Sequence, residues 1–231
     1  MNLVMFDIDG TLANANEVDE QCFLQALSEV LQVEATDTDW TNYENVTDRG
    51  CLEELTRRNR GRPVTQEESD SIRRRYIGLL AQHAERKPDL FRPIPGAIEM
   101  LEDLRRWPET MVSVATGALL ETARIKLRAA GLALDSLPMA TGDDALFREE
   151  IMLLAERKAA EVVGRNSFRT RTYVGDGTWD LQAAQNLGFG FIGIAEGAYA
   201  EALRAKGARY IVSDYSEGGR FLEHLQSIWN A

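Results

Sequence analysis

Six short apolar runs, at residues 2–6, 111–115, 137–140, 172–174, 189–194 and 210–212, recur along this 231-residue chain with helical patterns separating them. Runs this short read as buried strands, and their alternation with helices predicts a mainly parallel sheet covered on both faces. The expected class is therefore α/β, with a Rossmann-like core. A helix is expected over about 97–106, and Gly131, Gly188 and Gly207 fall where helix C-terminal caps belong.

The gap between the first two runs breaks the alternation. Over residues 15–91 the apolar positions follow a helical period, with Val18, Cys22, Ala26 and Val30 in one series and Ile72, Tyr76, Leu79 and Leu80 in another. Thr65 followed by Glu68 has the spacing of a capping box, which starts a helix near Gln66 that runs toward Ala84. Pro88, Pro93, Pro95 and Gly96 then punctuate the return to the core pattern. The chain divides into an α/β core, 1–14 and 92–231, and an α-helical cap, 15–91.

In an open parallel sheet, reactive groups gather at the carboxyl ends of the strands. The first strand delivers Asp7 and Asp9 there, and the 172–174 strand delivers Asp176 and, one turn on, Asp180. Four carboxylates on one edge repel one another and raise each other's pKa unless a counterion is present. A hard cation with oxygen ligands resolves this, and Mg2+ fits best because it keeps waters and a substrate phosphate in its shell. The 111–115 strand delivers Thr116 and Gly117, which are expected to open a helix through Ala129 and aim backbone N–H groups and a helix dipole at a phosphate. Arg148, at the start of the next helical run, would give the same phosphate a fixed positive charge.

Phe6-Asp7-Ile8-Asp9-Gly10-Thr11, the Thr116 position, a basic residue at 148 and Gly175-Asp176-Gly177-Thr178-Trp179-Asp180 resemble, in order, the four motifs of the haloacid dehalogenase superfamily. Many members carry Lys where this chain has Arg148. The resemblance spans nearly the whole chain and implies a phosphatase, phosphoglycolate phosphatase-like, with a helical cap inserted after the first motif. It also implies roles. Asp7 would attack phosphorus and form an aspartyl-phosphate, and Asp9 would protonate the leaving oxygen and then activate water. Asp7, the Asp9 carbonyl and Asp176 would hold the metal, with Asp180 as an outer partner. Cap residues Trp40, Tyr43, Thr47, Asp48 and Arg49 fall where similar caps contact the leaving group, and Arg49 is the candidate among them.

Two other readings share these residues. A phosphomutase of the superfamily commonly carries a His soon after the first motif, whereas here Asn14, Asn16, Glu17 and Asp19 occupy that stretch. A non-catalytic phosphate sensor would not need Asp7, Asp9, Asp176 and Asp180 all intact. The cap lysine used in phosphonate hydrolysis has no counterpart in residues 15–60. Cys51 and Arg57 match the spacing of cysteine-dependent phosphatases, but Leu-Glu-Glu-Leu-Thr between them lacks the glycines of an anion loop. His83 and His224 lie apart from every motif and are assigned nothing.

A formal charge of −11 disfavours nucleic acid and anionic membranes as partners, so a phosphorylated ligand must be attracted locally. Two cysteines without close spacing indicate neither a disulfide framework nor a metal cluster, and no stretch approaches a signal peptide or membrane span. The expectation is a cytoplasmic monomer or homodimer acting on a small phosphorylated metabolite.

Overall fold

In chain order the described elements begin β1 (Asn2–Phe6), β2 (Ala13–Asn14), α1 (Asn16–Leu31), α2 (Asp48–Arg60), α3 (Gln66–Arg86), β3 (Arg92–Pro93), α4 (Ala97–Arg106) and β4 (Thr110–Ala115). They continue α5 (Leu120–Ala129), β5 (Met139–Ala140), α6 (Arg148–Val163), β6 (Thr170–Gly175), α7 (Thr178–Leu187), β7 (Gly190–Ile194), α8 (Gly197–Ala205), β8 (Tyr210–Val212) and α9 (Gly218–Trp229). The structure is a computed structural model that describes residues 1–33, 38–132, 134 and 136–230.

Six strands form one parallel sheet in the order β5-β4-β1-β6-β7-β8. Each apolar run of the sequence supplies one of them, and the 137–140 run narrows to two residues. Strand β1 is buried throughout, with Leu3 and Met5 in one apolar cluster and Val4 and Phe6 in another, as a side-chain period of two dictates. Met100, Leu104, Leu127 and Phe221 bring α4, α5 and α9 onto the Val4 face, while Ile151, Ala155, Leu181 and Leu203 bring α6, α7 and α8 onto the Leu3 face. From β1 the chain reaches β4 and then β5 on one side, then crosses to β6 on the other. The order therefore reverses at β1, and the crevice that such a reversal opens lies outside the carboxyl ends of β4, β1 and β6.

Strands β2 and β3 pair antiparallel, Ala13 opposite Pro93, and form the neck of the helical segment between them. Thr65 caps α3 as its spacing predicts: its Oγ accepts from the Glu68 N–H at 3.2 Å and the Glu68 carboxylate accepts from the Thr65 N–H at 3.0 Å. Caps of this kind contribute about 1 kcal/mol. Phe23, Leu27, Leu55, Ile72, Tyr76 and Leu80 give the helices α1 to α3 an apolar centre of their own, which Leu119 of the core enters. Among the described residues, no helix is long and apolar enough to cross a membrane.

One helix starts later than its sequence suggests. Residues 116–119 are not helical, and α5 begins at Leu120. The reason is contact with the cap segment: the Asp48 N–H donates to the Gly117 carbonyl at 3.0 Å, and the Asp48 carboxylate accepts from the Leu119 N–H at 2.9 Å. The Leu120 N–H is taken by Asp143 at 2.9 Å. The Leu119 and Leu120 amides at the start of α5 are thus capped by protein carboxylates, and Thr116 and Gly117 precede the helix instead of opening it.

Candidate active site

Because β1 ends at Phe6, Asp7 and Asp9 emerge at the crevice, and because β6 ends at Gly175, Asp176 follows, with Asp180 in the first turn of α7. Gly10 makes the turn that follows Asp9 with φ +66°, and a Cβ there would lie 2.0 Å from Asp176 Oδ2, so the loop needs glycine on both counts. Carboxylate oxygens of Asp7, Asp176 and Asp180 all lie within 4.8 Å of one another. Asp7, Asp9, Asp176, Thr116, Gly117 and Arg148 line a 710 Å³ cavity whose opposite wall comes from the helical segment, including Glu17, Asp19, Glu20, Phe23, Trp40 and Asp48.

Burial pushes the Asp7 carboxyl up to about 6, helped by the Asp180 charge and opposed by Arg148 and by a hydrogen bond from Thr116. Burial likewise pushes Asp9 up to about 7, with Lys126 opposing. Asp176 stands well above the ordinary carboxylate range through burial and the charges of Asp180, Asp7 and Asp9, and burial raises Asp180 as well. The cluster is therefore short of positive charge. Asp7 Oδ1 is also buried with no hydrogen-bond partner. An all-oxygen donor set with a bare buried oxygen fits a hard divalent cation, which Asp7, Asp176 and Asp180 would hold. The Asp9 carboxylate stands outside that cluster and turns to Lys126.

Arg148, the first residue of α6, brings one positive charge into this corner. Its Nη1 lies 3.0 Å from Asp180 Oδ1 and 3.6 Å from Asp7 Oδ1, and it donates to the Tyr173 hydroxyl at 3.3 Å. Its Nη2 donates to the Val46 carbonyl across the cavity at 2.6 Å. The Nε–H is buried without an acceptor. A Cβ on Gly117 would sit 2.7 Å from Arg148 Nη2 and 2.9 Å from the Val46 carbonyl, so the absent side chain lets Arg148 and the cap approach. Thr116 is buried, and its Oγ accepts from the Ala118 N–H at 3.2 Å.

Arg49 is not brought to this group. Its guanidinium donates to the Gly142 carbonyl at 3.4 Å and lines a separate 330 Å³ cavity with Arg73, whose guanidinium pairs with Asp143. Of the other cap candidates, Trp40, Thr47 and Asp48 line the main cavity, whereas Tyr43 packs behind Trp40 with ring centroids 5.1 Å apart. His224 packs on Tyr210, remote from the site.

The sequence reading missed Lys126, a fully buried residue of α5. Its Nζ lies 2.5 Å from Asp9 Oδ2 and 3.1 Å from Asp19 Oδ1, and the Tyr76 hydroxyl donates to the same Asp19 oxygen at 2.6 Å. A signal was present: Thr122, Ala123, Lys126 and Leu127 form the buried stripe of α5, so the lysine stands where helical spacing calls for an apolar residue. Asn16, which donates to Asp176 at 3.4 Å, and Tyr173, which donates to the Ala115 carbonyl at 2.7 Å, were also missed.

Comparison with known proteins bears on this arrangement. A hydrolase from Pseudomonas syringae is 22% identical with a TM-score of 0.76, the match covering 99% of each chain. CbbY from Rhodobacter sphaeroides, solved in complex with phosphate, is 22% identical with a TM-score of 0.71, covering 93% of this chain and 95% of that one. A protein from Bacteroides vulgatus provisionally named β-phosphoglucomutase is 20% identical with a TM-score of 0.69, covering 100% and 91%. At such identities the likeness is one of fold. Comparison with curated proteins gives no match. The family model for haloacid dehalogenase-like hydrolases matches residues 4–194, a span that holds all four motifs, and the chain belongs to that family.

Proposed function

We propose that the protein is a magnesium-dependent phosphatase that hydrolyses the phosphate monoester of a small metabolite through an aspartyl-phosphate on Asp7. The observation that carries this reading is the Asp7, Asp176 and Asp180 cluster with Arg148 set into it beside a 710 Å³ cavity, a size suited to a small ligand. Asp7 Oδ attacks phosphorus in line while Asp9 gives its proton to the departing alcohol oxygen. Asp9 then takes a proton from the water that attacks the acyl phosphate and regenerates Asp7. Burial already holds Asp9 near neutrality, which suits a group that must serve as acid and then as base. Arg148 and Thr116 bind the phosphate oxygens, and the cap wall excludes water. Magnesium, when bound to Asp7, Asp176 and Asp180, neutralises the charge that the phosphate brings.

Phosphate release from para-nitrophenyl phosphate in the presence of magnesium tests the reading. Turnover should vanish on removal of the metal by chelation, and Asp7→Asn should abolish it while the fold persists. Activity of that variant above about a hundredth of wild type would exclude the covalent route. The mutase alternative, which rests on the Bacteroides vulgatus likeness, predicts sugar phosphate isomers in place of free phosphate.

A further inference from the structure

Asp9 must present its carboxylate in one orientation for two successive proton transfers, yet very little in the structure fixes it. Oδ1 is buried with no hydrogen-bond partner, and among the described residues Oδ2 has a single one, the ammonium of Lys126. That lysine is itself held from the other side. Asp19, on α1 of the cap segment, lies 3.1 Å from Nζ, and the Tyr76 hydroxyl of α3 fixes the Asp19 carboxylate at 2.6 Å. The chain of contacts Tyr76, Asp19, Lys126, Asp9 therefore runs from two cap helices through a core helix into the site.

Packing alone does not account for this lysine. Position 126 lies on the buried stripe of α5, where Ala123 and Leu127 serve the core without charge. Burying an ammonium is costly unless carboxylates compensate, and removing one member of such a network is strongly destabilising. A leucine there would need no compensation. What the lysine adds is directional: one donor to Asp9 from the core and one to Asp19 from the cap.

We propose that Lys126 is a positioning residue that fixes the Asp9 carboxylate for proton transfer, and that the cap helix α1 fastens Lys126 in turn through Asp19. The proposal rests on the reading of Asp9 as acid and base given above. Lys126 does not touch substrate, since it is fully buried behind Asp9 and Asp19. It follows that proton donation is ready only while α1 is docked on the core.

The test is a leaving-group series of aryl phosphates, from para-nitrophenyl to unsubstituted phenyl phosphate, read as kcat/KM, which reports steps through departure of the first product. An activated phenolate leaves without a proton, whereas a poorer one needs it from Asp9. Lys126→Met should therefore lower kcat/KM on phenyl phosphate by about a hundredfold, the scale of general acid catalysis, and on para-nitrophenyl phosphate by less than about fivefold. Equal loss across the series, or no loss, would overturn the proposal. Circular dichroism and thermal unfolding check the fold. Should Lys126→Met not fold, Asp19→Asn keeps Lys126 and Asp9, removes the carboxylate that holds Lys126 from α1, and takes one charge from the cavity wall, which acts alike on all members of the series. It should show the same leaving-group dependence at smaller amplitude, and a uniform loss would count against the proposal. Asp9→Asn on the same series tests the underlying reading independently of either variant: it should lose far more kcat/KM on phenyl phosphate than on para-nitrophenyl phosphate, and an equal loss would remove the acid role of Asp9 itself.

Discussion

Arg148 reaches the acidic corner from the first position of α6, and its guanidinium is divided between the carboxylates of Asp7 and Asp180 and the Val46 carbonyl of the cap. On the reading proposed above it is the phosphate-facing charge, and its contact with Val46 also ties α6 to the helical segment between β2 and β3. Arg148→Ala should lower kcat by roughly a hundredfold or more, because donors aimed at developing transition-state charge have effects of this size. Arg148→Lys should retain a larger part, since it keeps the charge, but a single ammonium cannot span Tyr173 and Val46 at once. Wild-type kinetics for the alanine variant, measured on para-nitrophenyl phosphate, would reduce Arg148 to a structural ion pair. Asp7, Thr116 and Asp176 were legible in the sequence because each follows a strand end directly. Lys126 was not, because its role depends on which way one face of α5 points and on a cap carboxylate 107 positions earlier in the chain.

Among the elements, helices α1 and α2 decide what the cavity can accept. They contribute Glu17, Asp19, Glu20 and Asp48 to its wall, and among the described residues Arg148 is the only basic side chain lining it. A second anionic group on the substrate, some 6 Å from one of these carboxylates, would meet repulsion on the order of 2–3 kcal/mol at an effective dielectric of about 20. Monophosphates of neutral or amine-bearing alcohols should accordingly exceed phosphoglycolate and sugar bisphosphates in kcat/KM by about tenfold or more, as measured on a matched panel of purified substrates. A preference for the doubly anionic compounds would contradict the charge argument. The elements themselves were legible where period and capping agree, as in β1, α4 and the Thr65 cap of α3. The start of α5 was not, because Asp48 and Asp143 take its first amides, and pairings between distant segments leave no local trace. The same holds for Arg49. Its place beside Asp48 in sequence suggested the site, yet of the two only Asp48 reaches the main cavity, while both line the smaller one.

At the scale of the whole molecule, the site is a source of instability that a cation should relieve. Carboxyls ordinarily titrate near 4 when the chain is unfolded, whereas burial raises Asp7 to about 6 and Asp9 and Asp48 to about 7 in the folded protein. Between those limits the folded state binds more protons than the unfolded one. Stability therefore falls as pH rises from about 4 through 7, the opposite of the usual salt-bridged carboxylate. Lys126 does not offset the trend. Burial works against its ammonium, but Asp19, Asp9 and Asp48 hold its pKa above the ordinary lysine value, so its contribution is constant until the pH nears 10. Metal-free protein should consequently melt several degrees lower at pH 8 than at pH 5, given that 1 kcal/mol moves Tm by about 2–4 °C in a chain of this size. On the reading proposed above, magnesium would bind the ionised carboxylates and stabilise the folded state by mass action, so its addition should raise Tm more at pH 8 than at pH 5. Asp176→Asn, which removes one of the crowded charges, should raise the metal-free Tm at pH 8 and shrink the response to magnesium. Thermal melts of both proteins across pH 5–8, with and without the metal, check each of these signs. A metal-free Tm that climbs with pH would show that the carboxylates of this site are not the strained group the geometry implies.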